Sequence, residues 1–215
     1  MNLTKKYLKA VASLAAGVMM LASCGLGEDN NQSMTKTVEL TKQEIAVRNM
    51  TLNGSWEGKL YYVNNVKHEN DSIDIVWKTD TVAKKVTISD FPVKLLAQYV
   101  DDESKELIAN AADQSLVFDY YSVTSDYVEY YNMYYFRYQF TPVGNKAVFS
   151  ANGEDITVTF MESLTDYSNV FSPMAVYYKR VMSGNILIGN ITFKDKTYTA
   201  NVLMSIGGTE IGKAN

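Results

Sequence analysis

Hydrophobic and polar positions change their spacing three times along this chain. Ala10 to Ser23 contains no charged residue and follows Lys5, Lys6 and Lys9. This uncharged run is 14 residues long, shorter than the ~18 that a bilayer-spanning helix needs. Gly25 to Thr37, GLGEDNNQSMTKT, is small and polar and predicts a flexible tether. Thr41-Lys42-Gln43-Glu44 then forms a capping-box pattern, which predicts a short helix over Thr41–Met50 with Ile45, Met50 and Val38 toward the core. From Trp56 the period becomes two. Trp56, Gly58, Leu60 and Tyr62 alternate with Glu57, Lys59 and Tyr61, the mark of a half-buried strand.

Further strands are predicted at Ile73–Lys78, Lys85–Ile88, Leu116–Val123, Met133–Thr141, Ala147–Ala151, Ile156–Phe160, Ala175–Met182, Ile186–Phe193 and Tyr198–Met204. Asn152-Gly153 is a hairpin-turn pair. Pro92 opens a helical stretch from Val93 to Val100, and a second short helix follows from Asp101 to about Ala112. The fold class expected is mainly β: an antiparallel barrel or sandwich of about ten strands with two or three short helices. Trp56, Leu60, Tyr62, Ile75, Trp77, Phe136, Phe140, Phe160, Ile191 and Val202 are expected in its core. The organisation expected is a signal peptide over 1–23, a tether over 24–37 and a single β-rich domain over 38–215.

Composition narrows the chemistry. A single Cys in 215 residues excludes an internal disulfide scaffold and multi-Cys metal sites, and a single His excludes centres built from two or three histidines. No metal or other cofactor is expected. Cys24, that single Cys, stands in Leu21-Ala22-Ser23-Cys24 directly after the uncharged run. A basic n-region, a short apolar stretch and small residues form a secretory signal. The tetrapeptide resembles the lipobox of bacterial lipoproteins, in which the Cys takes a diacylglycerol before cleavage. Cleavage there removes three Lys and no acid, so 20 Lys+Arg become 17 against 24 Asp+Glu and the net charge moves from −4 to −7. So acidic a domain is a poor match for nucleic acid. The partner expected first is the membrane, through lipid on Cys24. The location expected is the cell envelope, at the outer membrane on its periplasmic or surface face.

Gly54-Ser55-Trp56 on the first long strand resembles the G-x-W signature of lipocalin-like barrels, where a Trp plugs the barrel base beneath a short helix. Together the lipobox, the 51–62 segment TLNGSWEGKLYY and the 88–95 segment ISDFPVKL resemble an uncharacterised Bacteroidetes lipoprotein family of about 200 residues, a domain of unknown function. That resemblance implies no active site.

Candidate chemistry is sparse. His68 lies in a polar loop, with no G-x-S-x-G elbow anywhere to supply a nucleophile. Asp71/Asp74, Asp101/Asp102/Glu103 and Glu154/Asp155 are the possible carboxylate sets for glycoside hydrolysis, which needs one protonated and one ionised carboxyl. Tyr is abundant, with 16 against 8 Phe, and comes in doublets such as Tyr120-Tyr121. A doublet in a strand puts one ring on each face. On Met133–Thr141, Tyr134, Phe136, Tyr138 and Phe140 share the face assigned inward. Tyr131, Met133, Tyr135, Arg137 and Gln139 form the other face, and Tyr131, Tyr135 and Arg137 are the ligand-binding residues expected there. The function expected is a non-catalytic binding or assembly module of the envelope, for a glycan, a small apolar ligand or a protein. The alternative is a carboxylate-based hydrolase acting on glycans.

Overall fold

The computed structural model describes residues 36–65, 67–127, 135–166 and 169–213. Cys24 and Tyr131 lie outside the described residues, as does Tyr134. A short strand β1 (Thr37–Glu39) precedes helix α1 (Lys42–Leu52). The capping box at the helix start is present: Thr41 N–H donates to Glu44 Oε2 at 2.7 Å and Glu44 N–H donates to Thr41 Oγ1 at 3.2 Å. The residues α1 buries are Arg48 and Leu52. Met50, expected to face the core, is 74% exposed. The inward stripe runs through Arg48 instead, because a buried carboxylate waits for it.

The long strands are β2 (Gly54–Asn64), β3 (Glu69–Asp80), β4 (Lys85–Phe91) and β5 (Gln114–Ser122), with a 3₁₀ helix (Val93–Tyr99) and helix α2 (Asp102–Ala109) between the last two. After a short β6 (Ser125–Tyr127) come β7 (Phe136–Thr141), β8 (Lys146–Ala151) and β9 (Glu154–Phe160). A small hairpin β10 (Leu164–Asp166) and β11 (Asn169–Phe171) precedes β12 (Met174–Tyr178), β13 (Val181–Phe193) and β14 (Lys196–Lys213).

Ten strands form one antiparallel sheet, in the order β12-β7-β5-β4-β3-β2-β14-β13-β9-β8, and a further β12–β13 pairing closes it into a ring. The ring is an eight-position meander in which two positions are filled by split strands. β7 and β8 lie end to end along one edge of β5, and β9 and β12 lie end to end along one edge of β13. Between the Asp119–Thr141 pair and the contact of Gln114 with Ser150, β5 advances 5 residues (119 − 114) while the facing chain advances 9 (150 − 141). The four extra residues are Pro142–Asn145, a turn in which Gly144 and Asn145 have positive φ. Full backbone closure abolishes sheet edges at the α1 end. At the other end the wall is latched by a side chain: Gln114 donates to Ser150 O at 2.7 Å and accepts from Ser150 N–H at 2.9 Å.

Large side chains fill the barrel. Trp56 and Trp77 are fully buried cross-strand partners with ring centroids 6.4 Å apart, and Tyr177 meets Trp56 edge-on at 5.9 Å. Phe118 packs edge-on against both Phe140 and Phe160. All ten residues expected in the core are buried. Both ends are covered. Leu52 and Arg48 of α1 plug one, with Asn49 Oδ1 accepting from Tyr120 OH at 2.7 Å and Ser122 Oγ at 2.9 Å. The 3₁₀ helix and α2 cover the other through Leu96 and Ile108, and Ser104 Oγ meets Tyr198 OH at 2.9 Å.

Two predicted elements are corrected. Ala175–Met182 is a hairpin, not one strand: β12 ends at Tyr178, and Lys179 and Arg180 turn the chain at positive φ without Gly or Asn. The Met133–Thr141 strand begins only at Phe136 within the described residues.

Candidate functional site

The outward face of β7 is the place to test the expected recognition strip. β7 alternates as the sequence requires: Phe136, Tyr138 and Phe140 are buried inward, and Gln139 is exposed outward. The two ends of the outward face meet different fates. At the α1 end, β6 pairs with β1 to make a two-stranded ribbon near the rim, and it delivers Asp126, whose side chain is fully buried. Asp126 accepts from Arg48 Nη1 at 2.6 Å and pairs with Arg137 Nη2 at 2.8 Å. Both guanidiniums lie over rings, Arg48 over Phe136 at 5.0 Å and Arg137 over Tyr127 at 4.7 Å. The Arg137 side chain is 11% exposed and Tyr135 is 6% exposed. Both residues are therefore tucked beneath the rim, where Arg137 holds the ribbon to the barrel and Tyr135 packs against Tyr178 of β12. They do not stand on an open strip in this structure.

The open part of that face lies lower on the wall. Tyr121, the outward member of the Tyr120-Tyr121 doublet, is 51% exposed and sits directly opposite Gln139 in the β5–β7 register. Its neighbour Tyr120 is buried and tilted against Tyr138 at 4.9 Å, and burial pushes the Tyr120 phenol up to about 12. The doublet rule thus separates the two rings as expected. The alternation in sequence told which face of β7 turns outward, but the ribbon that covers its rim half carries no periodic signal of its own.

The carboxylates are placed for structure. Asp101 caps α2 by accepting from Ser104 N–H at 2.9 Å and takes Lys196 Nζ at 3.0 Å. These bonds, Ser104 N–H foremost, hold it well below the usual carboxylate range. Asp71 is lowered by Ser72 N–H and by Asn64, and Asp74 pairs with Lys59 at 2.7 Å. Glu154 and Asp155 open β9 on the exposed side of a turn. Glycoside hydrolysis requires one carboxyl kept protonated near neutral pH, and the resolved shifts of Asp71 and Asp101 run the opposite way. His68 is exposed at the β2–β3 turn with positive φ. No group of three or more His, Cys, Asp or Glu positioned to hold a metal ion occurs among the described residues, and no helix among them is long and apolar enough to cross a membrane.

The interior bears on the lipocalin-like G-x-W feature. Trp56 lies at the α1 end of the barrel, as that feature implies, and is packed among aromatic rings at the same level: Trp77, Tyr177 and, behind Tyr177, Phe136. The indole N–H groups of Trp56 and Trp77 have no acceptor there. Nothing in the sequence pattern foreshadows these two unpaired donors.

Comparison with known proteins adds one assignment. No curated protein and no solved structure matches the chain. A family model described as a domain of unknown function, DUF4840, matches residues 51–193, from the end of α1 through β13. This span takes in most of the barrel wall, and the chain belongs to the DUF4840 family.

Proposed function

We propose that this protein is a lipid-anchored lipoprotein of the bacterial cell envelope, of the kind found in Bacteroidetes, and that it works there as a non-catalytic binding or assembly module. The observation that carries the anchor is Leu21-Ala22-Ser23-Cys24, the only Cys in the chain, directly after a basic n-region and an uncharged run. Acyl chains on Cys24 supply stable attachment, with the protein at the outer membrane. Two features support binding rather than catalysis. The barrel interior is occupied by packed aromatics, and the resolved carboxylate shifts run away from those of a general acid. The partner, a glycan or a protein, meets the outer wall, where Tyr121 offers a rigid amphipathic ring beside the Gln139 amide.

Cys24→Ser tests the anchor. The variant accumulates as unprocessed precursor or in the soluble fraction, while the wild type remains with membranes. Equal membrane retention of both removes the proposal. A thermal-shift screen of the wild type over envelope glycans tests recognition, because a ligand that binds only the native state raises the midpoint. Tyr121→Ala abolishes the shift. A shift that survives Tyr121→Ala moves the site elsewhere.

A further inference from the structure

The strands run up and down, so every connection belongs to one end of the barrel or the other. The α1 end holds the β3–β4 tip, the β12–β13 tip, the end of β14 and the ribbon through which the chain joins the barrel at Thr37. Large apolar side chains stand exposed there. Met50 is 74% and Val82 88% exposed, and Val47 on α1, Val181 on the β12–β13 tip and Ile211 near the end of β14 are about half exposed or more than two-fifths exposed. The β3–β4 tip that carries Val82 is tied to α1, since Thr81 N–H donates to Asn53 Oδ1 at 3.1 Å and Thr81 Oγ1 donates to Asn49 O at 3.2 Å.

Charge is divided between the ends. The tips at 81–84 and 179–180 carry Lys84, Lys179 and Arg180 and no acid. Most acids at this end are already engaged. Asp80 accepts from Ala83 N–H, Asp126 is held by two arginines, Glu210 lies 3.9 Å from Arg180 and Glu44 sits in the capping box, while Glu39 on β1 and Glu57 on β2 stand exposed. The connection at the opposite end, residues 92–113, has five acids (Asp101, Asp102, Glu103, Glu106 and Asp113) against Lys94 and Lys105. Glu154 and Asp155 add to it. A domain acidic as a whole thus presents a basic, apolar-tipped end on the side where its N-terminal segment leaves.

We propose that the α1 end is the face that meets the lipid surface, with Met50 and Val82 at the depth of the headgroups and Lys84, Lys179 and Arg180 beside anionic phosphates. This rests on the lipid anchor at Cys24. Twelve residues (25–36) separate that Cys from Thr37, or 13 Cα-to-Cα steps (37 − 24), a span of at most about 45 Å, which permits the end to settle on the bilayer that holds the lipid. Exposed apolar tips gain from transfer into the interface, and each nearby cation adds to attraction by an anionic leaflet. The acidic end then points away from the membrane and is repelled by it. Tyr121 and Gln139 on the wall are left open to a partner.

The test uses the full, acylated chain reconstituted in vesicles. With Cys24 acylated, a new Cys is the only free thiol. Val82→Cys and Asn152→Cys place an environment-sensitive fluorophore at the α1 end or at the β8–β9 turn, and nitroxide lipids act as quencher. In vesicles containing phosphatidylglycerol, the label at 82 is quenched several-fold more than the label at 152, and the difference shrinks when Lys84 and Lys179 are both changed to Glu. Equal quenching, or greater quenching at 152, overturns the proposal. So does protection of residue 82 that depends on protein concentration in detergent, which identifies a second copy as the occupant. Flotation of the chain with the vesicles reads the anchor separately. A chain that floats with equal quenching overturns the orientation alone, and a chain that neither floats nor is quenched overturns both.

Discussion

Asp126 shows what one residue decides in this protein. Its side chain is fully buried and pairs with two guanidiniums, those of Arg48 and Arg137. Removing one partner of such a cluster leaves charge uncompensated out of water. Asp126→Ala is expected to lower unfolding free energy by about 3–5 kcal/mol in urea titration, comparable with the ~3–5 kcal/mol expected for Phe136→Ala in the barrel. Tyr121→Ala is expected to change it by no more than about 0.5 kcal/mol, as an exposed substitution does. If Asp126→Ala proves as mild as Tyr121→Ala, the rim is not held by this cluster. The alternation of β7 told from sequence that Arg137 points outward. It gave no sign that Arg137 is covered, because its cover comes from Asp126, eleven residues upstream (137 − 126) in a three-residue strand too short to show a period.

Individual elements were legible in proportion to their regularity. The Asn152-Gly153 turn has positive φ at both residues, as its composition demands. The same conformation at Lys179-Arg180 was invisible, because tertiary pairing of β12 and β13 imposes it on residues with no preference for it. The closing of the barrel also depends on two local devices. Gly58 and Gly208 face each other across β2 and β14, where a Cβ on Gly58 would stand 2.1 Å from Gly207 O and one on Gly208 2.1 Å from Glu57 O. Gly58→Ala is expected to cost at least about 2 kcal/mol through overpacking, seen as a lowered denaturation midpoint. Gln114→Ala removes the amide latch on Ser150 and is expected to speed hydrogen exchange at the Ser150 amide at least tenfold while the β13–β14 amides stay protected. Uniform loss of protection across the sheet would show that the latch is not a local closure.

For the molecule as a whole, acid is the informative perturbant. Asp101, Asp71 and Asp80 are all held below their ordinary values, chiefly by backbone N–H donors: Ser104, Ser72 and Ala83. A carboxylate with a lowered folded value binds protons less readily when folded than when unfolded. It therefore contributes stability above the ordinary value near 3.8, and that contribution is lost as pH falls below it. The thermal midpoint is expected to hold level from pH 7 to pH 5 and to fall steeply below about pH 4, with a shallower fall in Asp101→Asn. The antiparallel β class and the core were readable from period-two alternation, but closure into a barrel rather than a sandwich was not, since it rests on the β12–β13 pairing. The polarised ends were not readable either, since they arise from which turns the meander brings together.

Attachment through Cys24 underlies both the proposed role and the proposed orientation, and the intact mass of the wild-type protein extracted from membranes tests it most directly. The mass expected is that of a chain beginning at Cys24 and carrying acyl chains. A membrane-extracted protein whose mass includes residues 1–23 without lipid would contradict it.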